Sequence, residues 1–195
     1  FPLNTMVLNV TNKCNLACTY CYEYGEDKIV DTKFGKQPKF MSDETAEESV
    51  DFLLAENRDQ PVAHLTFFGG ETLLNFPVLK KTVAYGRRRA AEEGKRIEFS
   101  LTTNATLLKP EIIEWLADNH IGVTISIDGP KPVQDGLRVF HNGKGTYDVV
   151  LPKIKELLGR HRSRPIGARV TLTQKNMSVL EIFRHLTEEI GFWEV

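Results

Sequence analysis

Three cysteines, Cys14, Cys18 and Cys21, are the whole thiol content of this chain of 195 residues, and all lie in one stretch, 12-NKCNLACTYCYEYGED-27. The spacing C-x3-C-x2-C follows directly on a run that reads as a strand, 5-TMVLNVT-11, so the sulfurs project from a compact loop at that strand's carboxyl end. Convergent thiolates imply a metal; the other reading is three small buried cysteines acting as packing. Structural zinc wants four ligands, and this loop holds no fourth Cys and no His, the closest His being His64 beyond the next helix. A cubane iron-sulfur cluster fits better, because three thiolates hold three of its four irons and leave one iron open to an exogenous ligand. Three cysteines clustered in one loop make no disulfide framework, which suits a reducing compartment.

Other chemistry-bearing residues sit where further strands should end. The run 62-VAHLTFF-68 leads into 69-GGET-72, where Gly69 and Gly70 let backbone approach a ligand closely and Glu71 can accept from an ammonium, although a Gly-Gly pair also serves as a plain turn. The run 97-IEFSLTT-103 leads into 102-TTNAT-106, whose Thr and Asn can equally cap a strand and start a turn. The run 121-IGVTISI-127 leads into 126-SIDGP-130, with Asp128 as apt to fix the turn as to touch a ligand. Arg138 follows in 134-QDGLRVFHNGKGTYD-148, a planar bidentate donor suited to a carboxylate.

The elements that must position these residues alternate regularly. A Ser cap opens 42-SDETAEESVDFLLAEN-57, which puts Ala46, Val50, Leu53 and Leu54 on one helical face. A second helix carries Leu79, Val83, Gly86 and Ala90, with Gly94 as its stop; a third runs from Pro110 to Asn119; a fourth starts at Thr146 and turns Val150, Ile154, Leu157 and Leu158 inward. The run 167-GARVTLT-173 reads as a fifth strand. A helix from Ser178 follows, with Val179, Ile182, Phe183, Leu186 and Ile190 on one stripe, and Phe192 to Val195 read as a sixth strand just starting. Strict strand-helix alternation predicts an α/β fold with a parallel sheet, either doubly wound or an arc of a β/α barrel with its site at the strand C-termini. The stretch 23-EYGEDKIVDTKFGKQPKF-40 reads as a long loop.

The cysteine motif, with Tyr20 in its aromatic slot, resembles the signature C-x3-C-x-aromatic-C of the radical S-adenosylmethionine (SAM) enzymes. In that family the open iron is chelated by the amino and carboxylate groups of the cofactor's methionine moiety, and an electron from the cluster cleaves the sulfonium to a 5'-deoxyadenosyl radical. The resemblance extends to 69-GGET-72, similar to the family's G-G-E-P with Thr72 at the proline, and to 102-TTNAT-106, similar to T-N-G-T with Ala105 at the glycine. It implies a partial β/α (TIM-like) barrel, here truncated near the sixth strand, and a single core domain over residues 1–195. It also implies that Cys14, Cys18 and Cys21 hold a [4Fe-4S] cluster and that Tyr20 packs beside it. Gly69, Gly70 and Glu71 would receive the cofactor's amino group, Ser126 and Arg138 its carboxylate, and Asn104 its ribose. Where the family often has His-Asp this chain has Gln134 and Asp135, so no role of that His carries over. The combination of motifs looks most like the peptide- and protein-modifying branch with a C-terminal auxiliary-cluster (SPASM) domain. Within it, the chain resembles the maturation proteins of quinohaemoprotein amine dehydrogenase, with anaerobic sulfatase maturases as near alternative. The implied partners are a peptide or protein substrate and an external flavodoxin- or ferredoxin-like electron donor. A non-catalytic iron-sulfur or zinc module is the rival from another class, and no residue is assigned as catalytic acid or base.

Composition agrees with a globular core: 41% of residues are hydrophobic, while 26% are charged with a net charge of -1, so no global field points to nucleic acid or an anionic membrane. No apolar run of spanning length and no leader is visible, which makes the cytoplasm the expected compartment. Phe1 in place of an initiator Met and the ending 190-IGFWEV-195 suggest a piece of a longer protein. The runs Arg87, Arg88, Arg89 and Arg160, His161, Arg162, Arg164 read as solvated helix faces; Phe67, Phe68, Phe192 and Trp193 read as core.

Overall fold

The structure, a computed structural model, describes residues 2–21 and 40–195. The long loop expected over 23–40 therefore lies outside the described residues, apart from Phe40. The chain forms two compact units, one of Phe1–Lys13 with Pro38–Thr102 and one of Cys14–Gln37 with Thr103–Val195.

The first unit is built on three parallel strands, β1 (Thr5–Thr11), β2 (Val62–Gly69) and β3 (Arg96–Thr103), whose last residue passes into the second unit. Parallel pairing forces a crossover helix between successive strands, supplied by α1 (Asp43–Asn57) and α2 (Phe76–Glu92). Ser42 caps α1 by accepting the Thr45 N–H at 3.2 Å, and the expected face of Ala46, Val50, Leu53 and Leu54 is buried. On α2 the expected Leu79, Val83, Gly86 and Ala90 are buried. Gly86 is needed for close approach: a Cβ there would stand 2.9 Å from Phe99 Cζ, and Phe99 in turn stacks on Phe67 with ring centroids 5.8 Å apart.

The second unit pairs β4 (Gly122–Ser126) with β5 (Ile166–Arg169), again parallel, in the register Val123↔Ile166 to Ser126↔Arg169. Its helices are α3 (Pro110–Asp118), α4 (Lys131–Leu137), α5 (Tyr147–Arg160) and α6 (Val179–Arg184), the last continued by a π-wound segment, His185–Ile190. Gly191 ends that segment at φ 100°, the left-handed cap glycine tolerates.

Five expectations need correction, the last in the basic runs. First, α4 had no counterpart in the sequence reading, because seven residues containing Pro132 and Gly136 offer no periodic apolar face. Second, β5 stops at Arg169 rather than Thr173. The buried Asn176 takes the backbone beyond it: its Oδ1 accepts from the N–H and hydroxyl of Thr173, and its Nδ2 donates to Thr171 O at 2.9 Å. Third, the stripe after Ser178 narrows to Ile182, Leu186 and Ile190, leaving Val179 and Phe183 about half exposed. Fourth, Trp193 is 82% exposed, so it is not core, while Phe192 is buried. The sixth strand's start is one parallel bridge, Gly167↔Glu194, in which the Ala168 N–H donates to Glu194 O at 2.7 Å. In the basic runs, His161 is buried against the Ile121 carbonyl at 2.7 Å rather than solvated. No helix among the described residues is long and apolar enough to cross a membrane.

Candidate functional site

In the second unit the cysteine loop is laced along the segment that follows α4. Leu16 forms an antiparallel bridge with Phe140, the Ala17 N–H donates to Val139 O at 2.8 Å, and the Thr19 N–H donates to Leu137 O at 2.9 Å. His141 Nε2 lies 3.2 Å from Cys14 O. Leu16, only 2% exposed, is the apolar pin of the loop. These bonds give an irregular loop the backbone partners that burial requires, and they bring the cysteines beside the stretch that carries Arg138.

Asp128 joins the two. It is fully buried and accepts the Tyr20 hydroxyl at 2.5 Å, Arg138 Nε at 2.9 Å and the Thr171 N–H at 2.9 Å, while Arg138 Nη2 lies 3.4 Å from its second oxygen. The Arg138 guanidinium also lies over the Tyr20 ring, 5.4 Å from its centroid. Gln134 completes the support: its Oε1 accepts the Asp128 N–H at 2.9 Å and its Nε2 donates to Thr146 Oγ1 at 3.0 Å. Burial, with the Asp128 carboxylate adding to it, holds the Tyr20 phenol well above its usual range, so Tyr20 stays a hydrogen-bond donor. Burial pulls Arg138 down, but its acidic neighbours, the charge and hydrogen bond of Asp128 foremost with Tyr20 and Cys18 adding, together raise it and keep the guanidinium charged.

None of the three cysteines is in a disulfide, and all are half-buried. Burial pushes the Cys18 thiol up to about 11; Arg138 opposes that shift, and Cys14 and Cys21 add to it. Cys14 Sγ accepts the Leu16 N–H at 3.4 Å and lies 3.9 Å from Asn104 Nδ2. Among the described residues, no three His, Cys, Asp or Glu side chains gather tightly enough to hold one metal ion. A cubane cluster asks for something else, one thiolate per iron, and three thiols outside any disulfide in one short loop, with amide donors and a buried cation beside them, fit that demand. Ser126 ends β4 half-buried.

In the first unit the 69-GGET-72 turn is pinned to the end of β1. The Gly70 N–H donates to Thr11 O at 2.9 Å and the Glu71 N–H to Lys13 O at 2.8 Å. Gly69, at φ 149°, is obligatory, since a Cβ there would fall 2.3 Å from Thr11 O. Glu71 is 1% exposed, and its Oε1 accepts the Leu73 N–H at 3.1 Å, capping a short 3-10 turn, Thr72–Asn75. Ala105, at the family's glycine position, does adopt a glycine-like φ of 65°.

Sequence reasoning left Asp128 undecided and passed over Gln134, Asn15 and Thr106 as partners. The one local signal was the polar residue at each strand end. The Radical SAM superfamily model matches residues 8–182. The chain belongs to that superfamily. This radical SAM chain is 35% identical over 179 residues to an uncharacterized protein of Methanocaldococcus jannaschii, covering 91% of the chain and 56% of that protein. It is 35% identical over 162 residues to a serine-type anaerobic sulfatase-maturating enzyme of Bacteroides thetaiotaomicron, covering 82% and 37% respectively. The solved structure of native anSMEcpe with bound AdoMet matches with a TM-score of 0.82 at 26% identity, over 99% of this chain and 51% of that one. The chain thus spans about half the length, or less, of these relatives. Its fold is the α/β partial barrel of a radical SAM enzyme core, and its cofactors are a [4Fe-4S] cluster and S-adenosylmethionine.

Proposed function

We propose that this radical SAM core abstracts hydrogen from a peptide or protein substrate. The observation that carries the reading is the laced C-x3-C-x2-C loop, whose aromatic Tyr20 is tied through Asp128 to Arg138. When bound, the cluster and cofactor supply an electron and a 5'-deoxyadenosyl radical. In this reading Cys14, Cys18 and Cys21 hold the cluster and Tyr20 shields it. The backbone of Gly69 and Gly70 and the carboxylate of Glu71 receive the cofactor's amino group, while Ser126 and Arg138 bind its carboxylate. Asp128 orients Arg138 by occupying its Nε edge, a restraint that favours one approach of a second carboxylate. An external flavodoxin- or ferredoxin-like protein donates the electron, and the cytoplasm is the compartment that keeps such thiols reduced.

Two finer readings share this first step. The sulfatase-maturating relatives support conversion of a Ser or Cys side chain to an aldehyde. Motif likeness alone supports thioether cross-linking in quinohaemoprotein amine dehydrogenase, so sulfatase-type maturation is the better supported. An auxiliary-cluster domain belongs to either reading.

The test is anaerobic reconstitution with iron and sulfide, addition of dithionite and S-adenosylmethionine, and assay of 5'-deoxyadenosine by mass spectrometry. Product that disappears in C18A supports the reading; a cluster that never yields product in the full-length protein favours an electron-transfer module. Peptides containing Ser or Cys then separate the finer readings. A hydrazide-reactive aldehyde marks maturation of the sulfatase type, and loss of an alkylatable thiol without aldehyde marks a thioether.

A further inference from the structure

Both ends of the Asn104 side-chain amide are engaged within the second unit. Its Oδ1 accepts the Thr106 N–H at 3.0 Å and the Thr106 hydroxyl at 2.6 Å. A backbone N–H can only donate, so this contact fixes which end of the amide is oxygen. The two hydrogens on Nδ2 then have two acceptors in reach: Asn15 Oδ1 at 3.0 Å and Cys14 Sγ at 3.9 Å. Asn15 closes the circuit by donating its own Nδ2 to Thr106 Oγ1 at 2.8 Å. Asn104 and Thr106 are each 6% exposed. A closed ring of three side chains thus holds an amide hydrogen on the sulfur of the residue just before Asn15.

We propose that Asn104 is a positioning residue that sets the reduction potential of the cluster through Cys14, in place of the ribose contact the resemblance implied. The inference rests on the cluster reading given above. Reduction adds one electron from the external donor and breaks or forms no bond to Cys14, so the thiolate sulfur becomes more electron-rich. An N–H aimed at that sulfur stabilises the reduced state more than the oxidised one and raises the potential. The ring keeps the donor in place while the cluster changes charge, and it costs no reorganisation because Asn104 already holds this rotamer through Thr106.

The experiment is a dye-mediated redox titration of the anaerobically reconstituted protein, followed by electron paramagnetic resonance of the reduced cluster, in wild type, N104A, N104D and T106V. N104A is expected to keep its iron and sulfide content and shift the midpoint to more negative potential. A tenfold change in the ratio of oxidised to reduced cluster corresponds to about 59 mV for a one-electron couple. T106V opens the ring but keeps the amide, and is expected to shift less. An unmoved midpoint in N104A overturns the inference, and so does a T106V shift as large as that of N104A. N104D keeps an oxygen for Thr106 and loses the donor; if the alanine chain fails to fold, an unmoved midpoint in N104D is equally decisive. Loss of the cluster in both variants overturns tuning in favour of a plain tether. A wild-type protein that gathers no cubane signal overturns the cluster reading itself.

Discussion

Asp128 accepts the Tyr20 hydroxyl at 2.5 Å across 108 residues of chain, and the same carboxylate is paired with the buried Arg138. D128N leaves that guanidinium without its counter-charge, and removing one partner of a buried pair typically costs about 3–5 kcal/mol. Y20F removes one hydrogen bond to a charged acceptor and keeps the pair, so its cost is smaller, about 1.5–3 kcal/mol. Urea unfolding checks both. The expected order is wild type, then Y20F, then D128N, with D128N also losing reconstituted cluster faster on gel filtration.

Gly145 exists to let Asp135 in. A Cβ at 145 would stand 2.1 Å from Asp135 Cγ and 2.5 Å from its Cβ, and that carboxylate accepts the Tyr147 N–H at 2.8 Å at the start of α5. G145A is expected to evict Asp135 and cost about 1–2 kcal/mol, the range of a lost helix cap. D135A should cost a similar amount alone and little more in the G145A background. A double-mutant cycle reading full additivity would contradict this account.

The Thr72 hydroxyl is buried and has no hydrogen-bond partner among the described residues. T72V keeps the shape and removes the stranded polar group, so it is expected to stabilise the protein by about 1 kcal/mol. T72P, the residue typical of the family, should be tolerated, because Glu71 at φ -128°, ψ 110° already lies near the region that precedes proline. Thermal unfolding of both variants decides: a fall in Tm for T72V would mean that the hydroxyl is satisfied.

Burial holds the Cys18 thiol at about 11 against an ordinary 9.0. A raised thiol pKa disfavours the thiolate, so the cluster-free protein at pH 8 should hold about a hundredfold less Cys18 thiolate than an exposed cysteine. Iodoacetamide labelling read by peptide mass mapping should be slow at pH 8 and climb with each pH unit toward 11. A rate already level at pH 9 would show that the sulfur is not desolvated.

Much of this fold was legible because it depends on near neighbours. The core face of α1 follows from Ala46, Val50, Leu53 and Leu54 recurring at helical spacing, and the strands β1 and β2 from short apolar runs ending in polar or glycine residues. What escaped was set by competition at longer range. Asn176 captured the backbone that would have extended β5, and seven residues of α4 formed despite a glycine and a proline. The expectation of a cluster was legible for the same local reason, three cysteines within eight residues, whereas S-adenosylmethionine followed only from the resemblance of the motifs to the family.

By itself, the sequence determined the cysteine loop, the strand-end motifs and the alternation of elements, since covalent spacing and side-chain periodicity act over a few residues. Tertiary structure alone decided what those residues touch. Asp128 reads locally as an ordinary turn aspartate, and its partners stand 10, 43 and 108 residues away. Asn104 reads locally as a turn residue, and its amide reaches Asn15 and Cys14, 89 and 90 residues earlier. A buried polar group takes whichever partner folding leaves within hydrogen-bond reach, and no local pattern in the chain encodes that choice.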